Sequence, residues 1–347
     1  MKLYINKSTD PYFNLATEEY LIKNAKDDII MLWRNSPSVI IGKNQNAYAE
    51  INFDFVREHD IKVVRRLTGG GAVFHDLGNV NYTFISPPNG VLADGVRQGG
   101  LDFAHFSRPI ISALNAIGLN AALSGRNDIV VSTEDGERKI SGNAQCVLDE
   151  VTMHHGTLLF SAQMERLTGA LNVNTDKLKS KGIASVRSRV ANILDLLSPD
   201  IQKNISDVER FVEFLKKRLS SEFGIECETL SSEVIRDIEV LVREKYCTDD
   251  WNLHRFGNFS TTVSRRFSYG TVEVHLNVAE GRISEVEFGG DFFGAVDVST
   301  LSEALVGVEY AREAVDGTLC KTDVSKAISG ATASDITNLL FTEESVL

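Results

Sequence analysis

Cysteine is scarce in this chain of 347 residues: Cys146, Cys227, Cys247 and Cys320 lie far apart and form no C-x-x-C pair. That spacing argues against both a zinc centre and a disulfide framework. No apolar run approaches the length needed to span a bilayer, and there is neither an internal repeat nor a low-complexity segment. Basic residues are in deficit, 36 Lys and Arg against 48 Asp and Glu for a formal net charge of −12. A general nucleic-acid surface is therefore excluded, since neutralising a phosphate backbone requires many cations, although a local basic pocket is not. Two familiar phosphate loops are also missing. Gly71 is followed by Ala72-Val73 where a Walker A loop needs Lys-Ser or Lys-Thr, and no G-x-G-x-x-G leads into a helix.

What is present is a hydrophobic content of 43%, enough for sizeable cores, over a length that favours two domains. We expect them at residues 1–246 and 250–347, with polar Cys247-Thr248-Asp249-Asp250 between. The N-terminal Met1-Lys2-Leu3-Tyr4-Ile5-Asn6 leads straight into strand-like sequence, and the expectation is a cytoplasmic monomer.

The most distinctive stretch is Arg65-Arg66-Leu67-Thr68-Gly69-Gly70-Gly71-Ala72-Val73-Phe74-His75-Asp76. Three glycines let backbone N–H groups approach a ligand closely, and a guanidinium offers a planar fork of donors to phosphate or carboxylate. The plainer reading is a glycine-rich hairpin between Val63-Val64 and Ala72-Val73-Phe74 with solvated arginines. After it come a turn at Asp76-Leu77-Gly78-Asn79 and a β-rich run, Val80 to Ile85.

Elsewhere, Asp10-Pro11 and the spacing of Phe13, Ala16, Tyr20 and Leu21 predict a helix from Pro11 to Asn24. Ile29 to Trp33 and Ser38 to Gly42 suit paired strands around Asn35-Ser36-Pro37. A helix is expected from Asp102 to Ala116, its start displaced by Pro109, and a hairpin from Asp128 to Ser141 with Asp135-Gly136 at its tip. Further helices are expected from Val208 to near Gly224 and from Ser231 to Tyr246. Alternation at Thr271 to Val278 and Ile283 to Phe288 predicts a meander, followed by helices at Ser299 to Val306 and Asp323 to Ala327, a small α+β domain.

Three more segments set polar groups beside glycine at strand ends: Ser124 to Asp128, Arg138 to Ala144 and His154 to Phe160. Each alone has an ordinary explanation as turn, cap or surface charge. Together with the Arg-Gly stretch, Gly78 to Tyr82 and Lys181 to Val190, they make the first 190 residues resemble the lipoate-protein ligase family, relatives of the biotin ligases and octanoyl transferases. The remainder is similar to the C-terminal accessory domain of two-domain members.

That resemblance implies a mixed-sheet α/β catalytic domain of the biotin/lipoate ligase type with a smaller α+β C-terminal domain. It implies ATP-dependent activation of lipoate, with octanoate as an alternative acid, to lipoyl-AMP, then transfer to a lysine of a lipoyl domain in an E2 subunit or the glycine-cleavage H protein. By the same resemblance Lys139 is catalytic and touches both the acyl carbonyl and the α-phosphate. Arg66, Gly71, Ala72, Val73 and Phe74 hold ATP with it, and Gly70, Gly71, Tyr82, His155 and Gly156 hold lipoate. Asp128 assists at phosphate or metal, Lys181, Gly182, Ser185, Val186 and Arg187 form an adenylate loop, and Mg²⁺ binds mainly through the phosphates; no redox cofactor is implied. Two alternatives remain: an ATP-independent octanoyl or lipoyl transferase, which would need a cysteine that is absent between Gly156 and Val190, and a non-catalytic lipoate-sensing module.

Overall fold

The structure, a computed structural model, describes residues 1–95, 100–163, 169–172, 190–253 and 256–341. Helix α1 (Pro11–Asn24) begins as expected, with the Asp10 side chain accepting from Tyr12 N and Pro11 in the first turn, where no N–H is required. It connects β1 (Lys2–Ile5) to β2 (Ile29–Trp33), which pair in parallel. Its buried residues include Leu15 and Ile22 and also the carboxylates Glu18 and Glu19.

β3 (Ser38–Ile41) does not pair with β2 as expected. It is the middle strand of a separate small sheet, between β4 (Lys62–Arg65) and β5 (Val73–His75), with α2 (Ala47–Glu50) and α3 (Phe53–Glu58) in the crossover from β3 to β4. Every residue of β2 and of β3 is buried. A run apolar on both faces needs covering layers on both sides, and a simple hairpin leaves one face in water. The glycine-rich stretch is likewise no hairpin, because β4 and β5 lie on opposite sides of β3 and the loop must cross between them.

The large sheet runs β11-β1-β2-β6-β10-β9-β8-β7, with β6 (Asn79–Ser86), β7 (Ala121–Ser124), β8 (Asp128–Thr133), β9 (Gly136–Leu148), β10 (Val151–Leu159) and β11 (Cys227–Glu228). One face carries α4 (Phe103–Ala116) and, after the short helices α5 (Ile193–Leu196) and α6 (Pro199–Gln202), α7 (Val208–Phe223). Phe106, Ile110, Leu114, Phe211, Leu215 and Leu219 form that core. Pro109 sits inside α4 without ending it; the carbonyl of His105, left without its usual N–H, accepts from Arg108 Nε at 3.4 Å. α7 stops at Gly224, whose φ of 63° is left-handed. The opposite face receives α1, α8 (Ser232–Leu241) and part of the small sheet.

The expected linker is a packed structure. A π turn over Val242–Tyr246 continues α8, and Thr248 caps α9 (Asp249–Asn252), which lies against β4. Beyond it, β12 (Thr261–Phe267), β13 (Gly270–Ala279) and β14 (Arg282–Gly290) form an antiparallel meander. It is covered by α10 (Ser299–Leu305), α11 (Arg312–Leu319), α12 (Val324–Ala327) and α13 (Ala333–Leu340). The expectation missed β7, β11 and β12, and the helices α2, α3, α5, α6, α9, α11 and α13. Among the described residues no helix is long and apolar enough to cross a membrane.

Candidate active site

Between the two sheets lies a narrow, mainly apolar cavity. Trp33 on β2, Asn81 on β6, Thr157 on β10 and Gly142 on β9 line one side; Ile40, Val73, His75 and Arg66 line the other. Strand register explains the first group. Trp33 lies opposite Asn81, Asn81 opposite Thr157, and the Thr157 hydroxyl accepts from Gly142 N at 3.1 Å, so these residues form a row across the sheet. Asp128 lies opposite Gly142 and extends the row.

Lys139 joins that end through a backbone irregularity. Ile129 pairs with Ser141 but Val130 pairs with Lys139, so Ile140 is an extra residue in β9. Positions 139 and 142 would point to opposite faces in a regular strand; the bulge brings them to the same one. Lys139 Nζ then lies 2.7 Å from Asp128 Oδ1, and a Cβ placed on Gly142 would stand 3.3 Å from Nζ. Both charged side chains keep about a third of their surface in solvent, at 38% and 35%, so the ammonium can exchange its carboxylate partner for another anion.

The arginines are structural braces. Burial pulls both guanidinium pKa values down to about 10. Arg65 binds the carbonyls of Gly42, Lys43, Gln45, Trp251 and Asn252. Arg66 gives Nε to Thr68 Oγ1, Nη1 to Ile40 O, and Nη2 to Gly69 O at 2.7 Å and Gly71 O at 2.9 Å. Arg66 thus shapes the glycine loop directly, with one of its five N–H donors left over. Gly70 adopts φ 91° under the Phe293 ring, and its N–H donates to Phe292 O. Gly71 has no heavy atom within 4 Å of where a Cβ would be, so the loop is open on that side.

A buried chain of hydrogen bonds links the cavity to this loop. Trp33 Nε1 donates to Thr83 Oγ1, whose hydroxyl donates to Glu18 Oε1 at 2.6 Å. The same oxygen meets His155 Nδ1 at 2.9 Å, and His155 Nε2 meets Thr68 Oγ1 at 2.8 Å. Thr68 already accepts from Arg66, which leaves its proton for His155 Nε2 and a ring proton on Nδ1 for Glu18. Glu18, Thr68, Trp33 and Asn81 had no role in the sequence reading. Glu18 carried the one available signal, a carboxylate on the apolar stripe of α1.

Arg66, Val73, His155 and Gly156 line one cavity, the Lys139–Asp128 pair sits beside its Gly142 wall, and Gly70 and Gly71 are in the loop that Arg66 holds. Tyr82, expected to hold lipoate, does not line this cavity. Alternation along β6 turns it to the α4 face, where its hydroxyl bonds Asn143 Oδ1 beneath Gly156. Burial pushes that phenol far above its ordinary pKa. The Phe74 ring packs in the core of the small sheet, and Ala72 is half-buried beside the same core. Lys181, Gly182, Ser185, Val186 and Arg187 lie outside the described residues. Cys146, the cysteine nearest these motifs, is half-buried in β9, and desolvation pushes its thiol up to about 12, which disfavours the thiolate a nucleophile needs.

Residues 10–220 match the lipoyl protein ligase A/B catalytic domain, and residues 257–340 match the bacterial lipoate protein ligase C-terminus. Lipoate-protein ligase LplJ of Bacillus subtilis is 40% identical over 337 residues, 96% of this chain and 97% of its own. Lipoate-protein ligase 1 of Staphylococcus aureus is 39% identical over 321 residues, 92% and 93% of the two chains. Among solved structures, Plasmodium falciparum LipL1 in complex with lipoate shares the fold at TM-score 0.73 and 23% identity, over 93% of this chain and 94% of that one. A lipoate-protein ligase A bound with ATP aligns at TM-score 0.58 and 23% identity, over 73% and 98%. The bipartite lipoate protein ligase of Thermoplasma acidophilum, determined with its E2 lipoyl domain, aligns at TM-score 0.61 and 26% identity, over 74% and 98%. This chain belongs to the lipoate-protein ligase family, and it is an enzyme of that family.

Proposed function

We propose that the protein adenylates lipoate with ATP and passes the lipoyl group to a lysine of a lipoyl domain. The observation that carries this reading is the row from Trp33 to Gly142, which runs from an apolar end to the Lys139–Asp128 pair beside an open glycine loop. The acid's ring and chain would lie along the row with the carboxylate at Lys139. One carboxylate oxygen attacks the α-phosphorus, the bond to the bridging oxygen breaks, and pyrophosphate leaves. Two anions approach each other in that step, so the Lys139 ammonium, exchanging Asp128 for the reacting oxygens, offsets the repulsion and stabilises charge on the phosphoryl group. Arg66 acts chiefly by holding the carbonyls of Gly69 and Gly71, which fixes the loop that faces the nucleotide.

In the second step the acceptor amine attacks the activated carbonyl, AMP leaves, and an amide forms; orientation supplies most of what an already activated anhydride needs. Mg²⁺ fits this site as an ion held mainly by phosphates, with Asp128 offering a single carboxylate, and its chemistry when bound is to neutralise phosphate charge. The acid and nucleotide assignments draw support from the relatives bound to lipoate and to ATP, and the acceptor assignment from the archaeal ligase and its E2 lipoyl domain.

The test is lipoate-dependent exchange of pyrophosphate into ATP by the purified protein with Mg²⁺ and no acceptor. Exchange is the expected result. A folded protein that binds lipoate and shows no exchange would overturn adenylation and favour a carrier-dependent transferase.

A further inference from the structure

His75 closes the end of the cavity away from Lys139, and its proton can be placed by following hydrogen bonds outward. Asn14 Nδ2 bonds the carbonyl oxygens of Ser8 at 3.0 Å and Arg34 at 2.9 Å, acceptors that fix its amide as the donor. The same nitrogen lies 2.8 Å from Asn35 Oδ1, so Asn35 presents its own Nδ2 to His75 Nδ1 at 3.1 Å. His75 Nδ1 is therefore an acceptor. The ring is neutral because burial and the nearby Arg66 hold its pKa down to about 3, so the proton resides on Nε2. Nε2 is buried and has no partner, and neither has the amide nitrogen of Asn81 in the neighbouring wall. A buried N–H without an acceptor is a standing cost that a ligand atom can remove.

We infer that His75 Nε2–H, with Asn81 beside it, is a specificity determinant that donates to a ring sulfur of the bound acid and so favours a dithiolane over a hydrocarbon end of the same shape. The distances suit this. Gly142 and Asn81 are two strand spacings apart, roughly 10 Å, comparable to an extended eight-carbon acid whose carboxylate is at Lys139. Trp33 stands edge-on to His75 at 6.1 Å between ring centroids, so the donor sits in an otherwise apolar end where it has little competition from water. The inference rests on the proposed seating of lipoate in this cavity.

The experiment is calorimetric titration of the full chain with lipoate and with 5-cyclopentylpentanoate, which keeps ring and chain but replaces both sulfurs by carbon. A net hydrogen bond to a weak acceptor corresponds to roughly fivefold in affinity, so lipoate should bind about that much tighter, although the hydrocarbon ring is no less hydrophobic. His75→Phe keeps an aromatic ring and should abolish the difference. Equal dissociation constants in the unaltered protein, or a preference that survives His75→Phe, would overturn the inference. Where the variant fails to fold, the histidine Nε2 resonance of ¹⁵N-labelled wild-type protein decides: it should shift with lipoate and not with the analogue, and equal shifts would be contrary. Pyrophosphate exchange separates the two readings, since exchange with equal affinities removes the donor role alone, whereas selective binding without exchange removes adenylation alone. Binding of neither acid overturns both.

Discussion

Lys139 and Asp128 form a half-exposed ion pair whose attraction, weakened by solvent, contributes little to stability, so replacing the lysine should affect chemistry far more than folding. Lys139→Ala is expected to slow lipoyl-AMP formation by about 10²-fold or more, comparable to deletion of an oxyanion donor, with an unchanged denaturation midpoint. Pyrophosphate exchange and urea denaturation on the same preparation check this, and near-normal exchange would remove Lys139 from the mechanism. Two buried histidines make stability depend on pH. His75 and His154 are held down to about 3, chiefly by burial, against an ordinary 6.5. Protons bind these groups more readily in the unfolded chain, so their contribution is complete above pH 6.5 and is lost as pH falls toward 3. The limiting slope is about 1.4 kcal/mol per pH unit for each. His154 stacks on Phe106 with both ring nitrogens unpartnered, so His154→Phe should roughly halve the slope between pH 6 and 5. Urea denaturation at several pH values measures it, and an unchanged slope would contradict the assignment.

The glycine loop shows how neighbouring residues of one type can have different tasks. A Cβ on Gly69 would stand 2.2 Å from Phe292 O, whereas one on Gly71 would meet nothing within 4 Å. Gly69→Ala should therefore push the Phe292 backbone away and destabilise the fold by about 1–3 kcal/mol, the usual cost of overpacking. Gly71→Ala should stay within about 0.5 kcal/mol, as for an open surface position, while narrowing the loop where the nucleotide would approach. Denaturation midpoints for the two variants test the contrast; equal losses would mean that contact with the C-terminal meander does not limit Gly69. The motif showed that glycine matters here, yet nothing in three identical letters distinguishes the residue under Phe292 from the one left open.

For the molecule as a whole, the telling contact is Arg65. Its guanidinium reaches the carbonyls of Trp251 and Asn252, and Trp251 Nε1 returns a bond to Arg65 O. A chain ended after Tyr246 would strand part of a buried cation, whereas one ended after Leu253 keeps these acceptors. We expect the shorter chain to be less stable by about 1–3 kcal/mol, the cost of losing hydrogen bonds to a charged group. Comparing the two by urea denaturation would also locate the domain boundary, and equal stability would return it to the polar Cys247–Asp250 stretch. The sequence presented that stretch as a linker because its composition is polar; the residue that anchors its end, Trp251, bonds Arg65, 186 residues away along the chain.

The sequence by itself determined α1, the Asp135-Gly136 hairpin, the β13–β14 meander and the motif set that marks the family, because caps, turns, periodicity and short motifs are local. Only the tertiary structure decided which strands share a sheet, since burial on both faces records how many layers cover a strand and not which strands lie beside it. It also decided the chemistry of the site. Ile140 is an ordinary strand residue in sequence, and its bulge, which turns Lys139 toward Asp128 and Gly142, arises from pairing with β8. The lone proton on His75 Nε2 likewise depends on Asn14 and Asn35, brought to it by folding and not by proximity along the chain.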